Sequence, residues 1–298
     1  MNLDEQARML ANRLRKNFRK LHPRFEERRI GAFRVYDRDI PEIRAAIDWY
    51  EGHLVFAEYA REQTARLPWL ETMARAAAEA LEVPWERVHM KKRRAGEKYE
   101  RLARKGERIE VREGDLKFLV NLDDYIDTGL FIDHRETRAR VQAEARGKSF
   151  LNLFAYTGSF TCAAALGGAR TTTTVDASQN YLDWAGDNLR LNGVQPGALV
   201  RGEVEAFLHK AGARRWTLCL LDPPSYSDHG GNLFEVQRDH RALVEKTLAV
   251  LEPGGVLWFS TNHQRFTPQL DGLRFTEEQT VPEDFRNRTA HRAFRIIR

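Results

Sequence analysis

The stretch Ser149-Phe150-Leu151-Asn152-Leu153-Phe154-Ala155-Tyr156-Thr157-Gly158-Ser159-Phe160-Thr161-Cys162-Ala163-Ala164-Ala165-Leu166 decides the fold. Its largely apolar segment at 149–154 reads as a strand, and residues 160–166 read as a helix of small side chains. Between them lies a turn, 155–159, with one glycine. Strand, glycine turn and helix in this order form a ligand-binding turn at the end of a sheet. The turn has neither the GxGxxG of a dinucleotide site nor the GK[ST] of a P-loop, so nucleotide hydrolysis is not expected. Its ligand should not depend on a pyrophosphate resting at the helix N-terminus.

Reading outward, strands at 171–175, 198–201, 216–221 and 255–260 alternate with helices at 178–190, 203–211 and 236–250. A helix at 134–145 precedes the quoted stretch. This alternation predicts a mostly parallel sheet with helices on both faces. Two last strands, near 272–278 and 291–297, have no helix between them and suggest an antiparallel edge hairpin.

Chemistry-bearing residues collect at the strand ends. Asp176 closes the second strand, eighteen residues after Gly158. A carboxylate there can accept both ribose hydroxyls of a nucleoside, although Asp176 and Ser178 also suit a helix N-cap. Glu203 follows the third strand and can accept an adenine amino group, or simply face the helix dipole as a first-turn acid. The fourth strand ends in Leu221-Asp222-Pro223-Pro224-Ser225-Tyr226-Ser227. Two prolines make a rigid, N–H-poor loop that can offer carbonyl oxygens and an aromatic ring to a planar base. Ribose acceptor, adenine slot and base-facing loop without a phosphate cradle together describe a site for S-adenosylmethionine.

The residues before 123 read as a small α/β domain: a helix at 4–21, strands near 33–36, 44–49 and 53–58, a helix at 68–81, a strand at 88–91, a polar stretch at 93–106, and strands at 108–112 and 117–121. The net charge of +5 is only mildly basic, but it is unevenly placed. Arg13, Arg15 and Lys16 open one basic cluster, and Lys91, Lys92, Arg93 and Arg94 form another. Each is either a solvated face or a phosphate-tracking surface. Two cysteines, Cys162 and Cys219, exclude a disulfide scaffold and a cysteine-rich zinc site, and no metal is expected. The acidic start MNLDEQARML is not a signal peptide, and no 18-residue apolar run exists, so a cytoplasmic setting is expected.

Over essentially its whole length the chain resembles the bacterial large-subunit (23S) ribosomal RNA guanine N7 methyltransferase family, usually the C-terminal half of a bifunctional protein. The resemblance runs through Ala11 to Asn17, Tyr36-Asp37, Asp124-Tyr125, Asp127 to Arg135, Asn152 to Phe154 with Tyr156 to Ser159, and Thr174 to Asp176. It continues through Tyr181-Leu182 with Trp184-Ala185, Asn188 to Gly193, Asp222 to Pro224, Val236 to His240, Phe259-Ser260, and Asp284-Phe285 with Asn287-Arg288. It implies a class I, Rossmann-like methyltransferase domain over 123–298 behind the basic domain over 1–122. It also implies S-adenosylmethionine as donor and 7-methylguanosine in 23S ribosomal RNA as product. The donor set it implies is Asp133, His134, Arg135, Phe154, Tyr156, Gly158, Asp176, Ala177, Glu203, Val204 and Asp222. The family usually has Asp in place of Glu203 and Thr-Phe in place of Ser225-Tyr226. Its fused partner, which makes 2-methylguanosine, has no counterpart in these 298 residues. That second activity is expected to be missing, and a separate protein can take the partner's place.

Related enzymes that methylate cytosine C5 need a cysteine at the end of strand four or five. Here those ends read Asp222-Pro223-Pro224 and Phe259-Ser260-Thr261-Asn262. Guanine N7 already carries an in-plane lone pair and needs no general base, only placement and tolerance of developing positive charge. Asp222 suits the electrostatic role, Asn262 can hold a guanine edge, and Tyr226 or Phe266 can stack on the base. A guanine starting in a helix must be flipped out, with the basic domain gripping the flanking phosphates. Methylation of an exocyclic purine nitrogen, N2 or N6, is the nearest alternative. An RNA-binding assembly factor with a degenerate donor site is another.

Overall fold

The computed structural model describes residues 2–59, 68–93, 103, 105–229 and 232–298. They divide into two compact units, 1–132 with 283–287 and 133–282 with 288–298. The boundary expected at 122/123 falls ten residues before the point where the first unit's main segment ends.

In the first unit, helix α1 (Leu3–Glu27) buries Leu10, Leu14, Leu21 and Phe25 along one face, a four- and seven-residue spacing that keeps apolar groups on one side. Asn2 caps it by accepting from the Glu5 N–H at 2.8 Å. The helix continues past its expected end at 21, with Pro23 inside it on an exposed position. Strands β1 (Ala32–Asp37), β2 (Ala45–Tyr50), β3 (His53–Tyr59) and β4 (Val88–Arg93) form a sheet in that order. The first two pairings are antiparallel, and β4 runs parallel to β3 after the crossover helix α2 (Trp69–Ala80). Strands β5 (Ile109–Glu113) and β6 (Leu116–Val120) form a separate hairpin.

Residues 283–287 complete this unit. Asp284 accepts the Arg34 N–H at 2.8 Å, and the Arg34 guanidinium lies 4.3 Å from the centre of the Phe285 ring. The N–H groups of Arg286 and Asn287 both donate to Asp37 Oδ2 at 3.1 Å.

The second unit begins with helix α3 (Arg135–Glu144) and alternates thereafter: β7 (Ser149–Leu153), α4 (Ser159–Leu166), β8 (Thr171–Asp176), α5 (Gln179–Leu191), β9 (Ala198–Arg201), α6 (Val204–Lys210) and β10 (Trp216–Leu221). A two-stranded ribbon, β11 (Tyr226–His229) and β12 (Asn232–Glu235), leads to α7 (Val236–Ala249), β13 (Leu251–Thr261), β14 (Arg274–Glu278) and β15 (Arg292–Ile297). The main sheet has the order β14-β15-β13-β10-β7-β8-β9. β7, β8, β9, β10 and β13 are parallel, while β15 is antiparallel to both its neighbours. The closing pair is therefore antiparallel as expected, but its connection is no tight hairpin, because 283–287 belong to the first unit.

The strand order reverses between β7 and β10, and ligands of such sheets bind outside the carboxyl ends at that reversal. Every residue of β7 is buried, as a strand covered on both faces requires. The β11–β12 ribbon stands where the sequence suggests only a loop. Among the described residues no helix is long and apolar enough to cross a membrane.

Candidate active site

The turn after β7 is conformationally unusual. Phe154, Tyr156 and Gly158 all have left-handed φ, at 57°, 50° and 73°. Two aromatic residues in that region are uncommon, since a Cβ there crowds the backbone. The surroundings hold them. Asp176, at the end of β8, accepts the Tyr156 N–H through Oδ2 at 2.8 Å and the Ser178 N–H through Oδ1 at 2.9 Å. Asn188, buried on α5, donates to the Thr157 carbonyl at 2.9 Å. The Phe154 ring faces Phe234 of β12, with centroids 6.4 Å apart. Gly158 has no substitute here: a Cβ on it would lie 2.6 Å from Ala185 Cβ.

Asp176 is not the helix cap. Ser178 is, accepting from the Tyr181 N–H. Asp176 thus orders the turn through two backbone donors at the edge where the ribose acceptor is expected. The Gly202 N–H donates to the Asp176 carbonyl at 3.0 Å, which brings the start of α6 to the same edge. Glu203, exposed, is the N-cap position of α6 but makes no side-chain cap bond. Val204 beside it is buried, and Ala177 is half-buried.

At the strand-order reversal, Asp222 Oδ1 accepts from the Ser260 hydroxyl at 2.6 Å. Its Oδ2 lies 3.9 Å from His134 Nε2. His134 is buried and stacked on His291, with centroids 4.0 Å apart and planes at 16°. His291 in turn reaches Asp133 Oδ2 at 3.2 Å through Nδ1 and Thr280 Oγ1 at 2.8 Å through Nε2. Burial, reinforced by His291, pushes the His134 imidazole down to about 4, so it is neutral at pH 7. Arg135 next to it is also buried.

Asp133, His134 and His291 bring three ligand-type atoms within 4.8 Å of one another. Both His291 nitrogens are already committed to hydrogen bonds and its ring lies flat on His134. That is the geometry of an ordering network for the Asp133–Arg135 block rather than of a metal cage.

Beyond the prolines, Ser225 donates to Asn262 Oδ1 at 2.7 Å. Tyr226 stands 53 % exposed. Phe266, expected as a stacking residue, is instead buried among His240, Phe259 and Phe294 and belongs to the core. Both cysteines are buried, Cys162 in α4 and Cys219 inside β10. Burial pushes the Cys162 thiol up to about 12 and that of Cys219 well above its ordinary value, so neither offers a thiolate.

The structure thus gathers Asp133, His134 and Asp222 in one cluster and Tyr156, Gly158 and Asp176 in another. Tyr226 and Asn262 follow on the same loops. Sequence reading missed Asn188, Ser260, His263, Thr280 and His291. Asn188 and Ser260 lie in stretches that the sequence singles out. Thr280 and His291 carry no local signal, because only the antiparallel return of β15 brings them to Asp133.

The basic residues of the first unit divide. Arg15 and Lys16 are exposed on α1, and Arg13 is partly exposed with its guanidinium 3.7 Å from Asp39. Lys92 is exposed, 3.9 Å from Glu58. Lys91 does not belong to a phosphate-facing surface: it is buried, and its Nζ donates to the carbonyls of Tyr125 at 2.6 Å and Ile126 at 3.1 Å. Consecutive residues of a strand point to opposite faces, so this basic run cannot lie on one surface. Arg94 and the side chain of Arg93 lie outside the described residues.

A parallel sheet with a reversal between its first and fourth strands, a glycine turn without a phosphate cradle, and carboxylates at successive strand ends define a class I methyltransferase fold. The chain belongs to the S-adenosylmethionine-dependent methyltransferase family, whose model matches residues 31–286. The ribosomal RNA large subunit methyltransferase K/L of Pseudomonas entomophila (strain L48) is 44% identical over 313 residues, covering 99% of this chain and 42% of that protein. The protein of the same description from Allochromatium vinosum is also 44% identical, covering 97% of this chain and 42% of its own length. The chain therefore spans less than half the length of these relatives. A methyltransferase of Streptococcus mutans has the same fold, with a TM-score of 0.79 at 22% identity, covering 98% of this chain and 81% of that one.

Proposed function

We propose that this chain methylates N7 of a guanine in large-subunit ribosomal RNA, with S-adenosylmethionine as donor. The cofactor supplies an electrophilic methyl on a sulfonium. The residues present fit its demands: Asp176 and Glu203 stand at successive strand ends for the nucleoside, and the Asp133–Arg135 block with Asp222 offers charge for the amino-acid end. The similarity to K/L proteins supports ribosomal RNA as the substrate.

The observation that carries the choice of atom is the polarity of Asn262. Its Oδ1 receives the Ser225 hydroxyl, so the amide leaves N–H groups for a ligand. A guanine offers two acceptors on its major-groove edge, N7 and O6. An amide donor on O6 holds the base while N7 faces the methyl, and the neutral His134 adds no positive charge against the cationic product. Asp222 supplies a carboxylate toward that charge. Exposed bases of α1, Arg15 and Lys16 with Arg13, contribute phosphate contacts.

Methyl transfer to large-subunit ribosomal RNA, followed by mild reduction and aniline, tests the reading. A fixed charge at N7 labilises the glycosidic bond, so the RNA should break at the modified guanine and primer extension should read its position. Methyl incorporation without an aniline-sensitive site, with 2-methylguanosine in the nucleoside digest, would establish the exocyclic alternative instead.

A further inference from the structure

Tyr226 Oη lies 3.3 Å from His263 Nε2, with the two rings tilted at 56° and their centroids 6.0 Å apart. The other nitrogen of that imidazole, Nδ1, is buried and has no hydrogen-bond partner among the described residues. A neutral imidazole carries one proton. On Nδ1 that proton would be a buried, orphaned N–H; on Nε2 it leaves only a lone pair unmatched. Folded proteins leave buried N–H groups unpaired more rarely than acceptors. The proton therefore belongs on Nε2, which makes His263 the donor and the Tyr226 oxygen the acceptor. A phenol has one hydrogen of its own, and with its oxygen receiving from His263 that hydrogen turns toward the exposed side.

We infer that His263 is a positioning residue: it fixes the Tyr226 hydroxyl as a hydrogen-bond donor for the substrate, and the acceptor is the keto oxygen O6 of the target guanine. The inference rests on the guanine reading above. With N7 taken by the methyl, O6 is the acceptor remaining on that edge. Adenine carries an amino donor at the same place, so donor would meet donor and the wrong purine is rejected. Tyr226 and Asn262 then address the same oxygen, which has two lone pairs. His263 itself does not touch the base.

Steady-state methyl transfer to a large-subunit ribosomal RNA transcript tests this, with KM measured separately for donor and RNA. Y226F and H263A should each reduce kcat/KM for RNA roughly 3–10-fold, the loss of one neutral hydrogen bond, with donor KM unchanged. H263Q, which keeps a side-chain N–H, should restore most of the loss. The double variant Y226F/H263A should be no worse than Y226F. Additive losses, or a loss on the donor side alone, would overturn the role of His263. A transcript with adenine at the mapped target should be rejected by the wild type and less strongly by Y226F. Equal losses on both transcripts would place the acceptor on the RNA backbone and overturn the O6 assignment. Nitrogen NMR of the histidine rings, assigned with H263Q, needs no RNA and should show His263 protonated on Nε2; an Nδ1 proton overturns the proposal outright. The Nε2 tautomer together with 2-methylguanosine as product would count against the guanine N7 reading and leave the positioning of Tyr226 standing.

Discussion

The backbone N–H of Tyr156 donates to Asp176 Oδ2 at 2.8 Å, joining the carboxyl ends of β7 and β8. The same carboxylate that suits a ribose therefore also orders the strained turn. D176A should lose a charged hydrogen-bond partner, about 1.5–3 kcal/mol of donor affinity, together with the order of the turn. Calorimetric titration with S-adenosylmethionine decides it. Unchanged affinity would leave Asp176 with the structural task alone.

Gly158 and Gly193 share a left-handed φ, 73° and 69°, but differ in surroundings. An added Cβ meets Ala185 Cβ at 2.6 Å in the first and nothing within 4 Å in the second. G193A should cost only the backbone penalty, about 1–2 kcal/mol. G158A adds overpacking of about 1–3 kcal/mol and should also weaken donor binding. Denaturant unfolding of the two variants measures the difference; equal losses would show that α5 yields freely.

His134 links acid to stability. Unfolded, the imidazole titrates at its ordinary 6.5; folded, burial and His291 hold it at about 4. Between those values the unfolded chain binds a proton that the native state refuses. Stability should therefore fall as pH drops from about 6.5 to about 4, by roughly 3 kcal/mol for this group, and the loss should level off below. H134Q should flatten that dependence in denaturant titrations from pH 4 to pH 7. His53 and His240 are also held below their ordinary value, so part of the slope should survive. A slope identical to wild type would mean that His134 binds its proton equally well in the native and unfolded states.

The basic residues should separate by experiment as they do by burial. Replacing Arg13, Arg15 and Lys16 by alanine should weaken binding to a large-subunit ribosomal RNA transcript. Its salt slope should also drop, by about 0.7–0.9 for each phosphate that is no longer neutralised. K91M should leave the slope unchanged and destabilise the fold by about 1–3 kcal/mol, since the buried Ile126 carbonyl and the partly buried Tyr125 carbonyl lose a donor. A reduced slope for K91M would refute the structural role.

The parallel strands were legible because strands buried on both faces read as largely apolar runs, unbroken in Leu218 to Leu221 and interrupted only by Asn152 in Phe150 to Leu153. Asp222 was legible as an acid just past such a run, and Asp176 as the acid that closes the β-branched run Thr171 to Val175. The β11–β12 ribbon was not, since Tyr226 to Glu235 is polar and follows two prolines. The extension of α1 was hidden by Pro23, whose helix-breaking tendency is outweighed by the burial of Phe25 beyond it. The His134–His291 stack joins residues 157 positions apart, and no local pattern encodes it. Lys91 shows a signal that was present but unread: alternation along β4 already forbids the successive bases Lys91, Lys92 and Arg93 on one face.

The segment 283–287 also has a history in time. A growing chain finishes Ile132 and must then add the 150 residues of 133–282 before Glu283 emerges. At roughly 5–20 residues per second that interval lasts about 8–30 s. Throughout it Asp37 waits for the Arg286 and Asn287 N–H groups, and Arg34 for Asp284 and Phe285. The unit whose synthesis begins first is thus completed only after most of the second has been made, and a fragment ending at Ile132 would lack these bonds permanently.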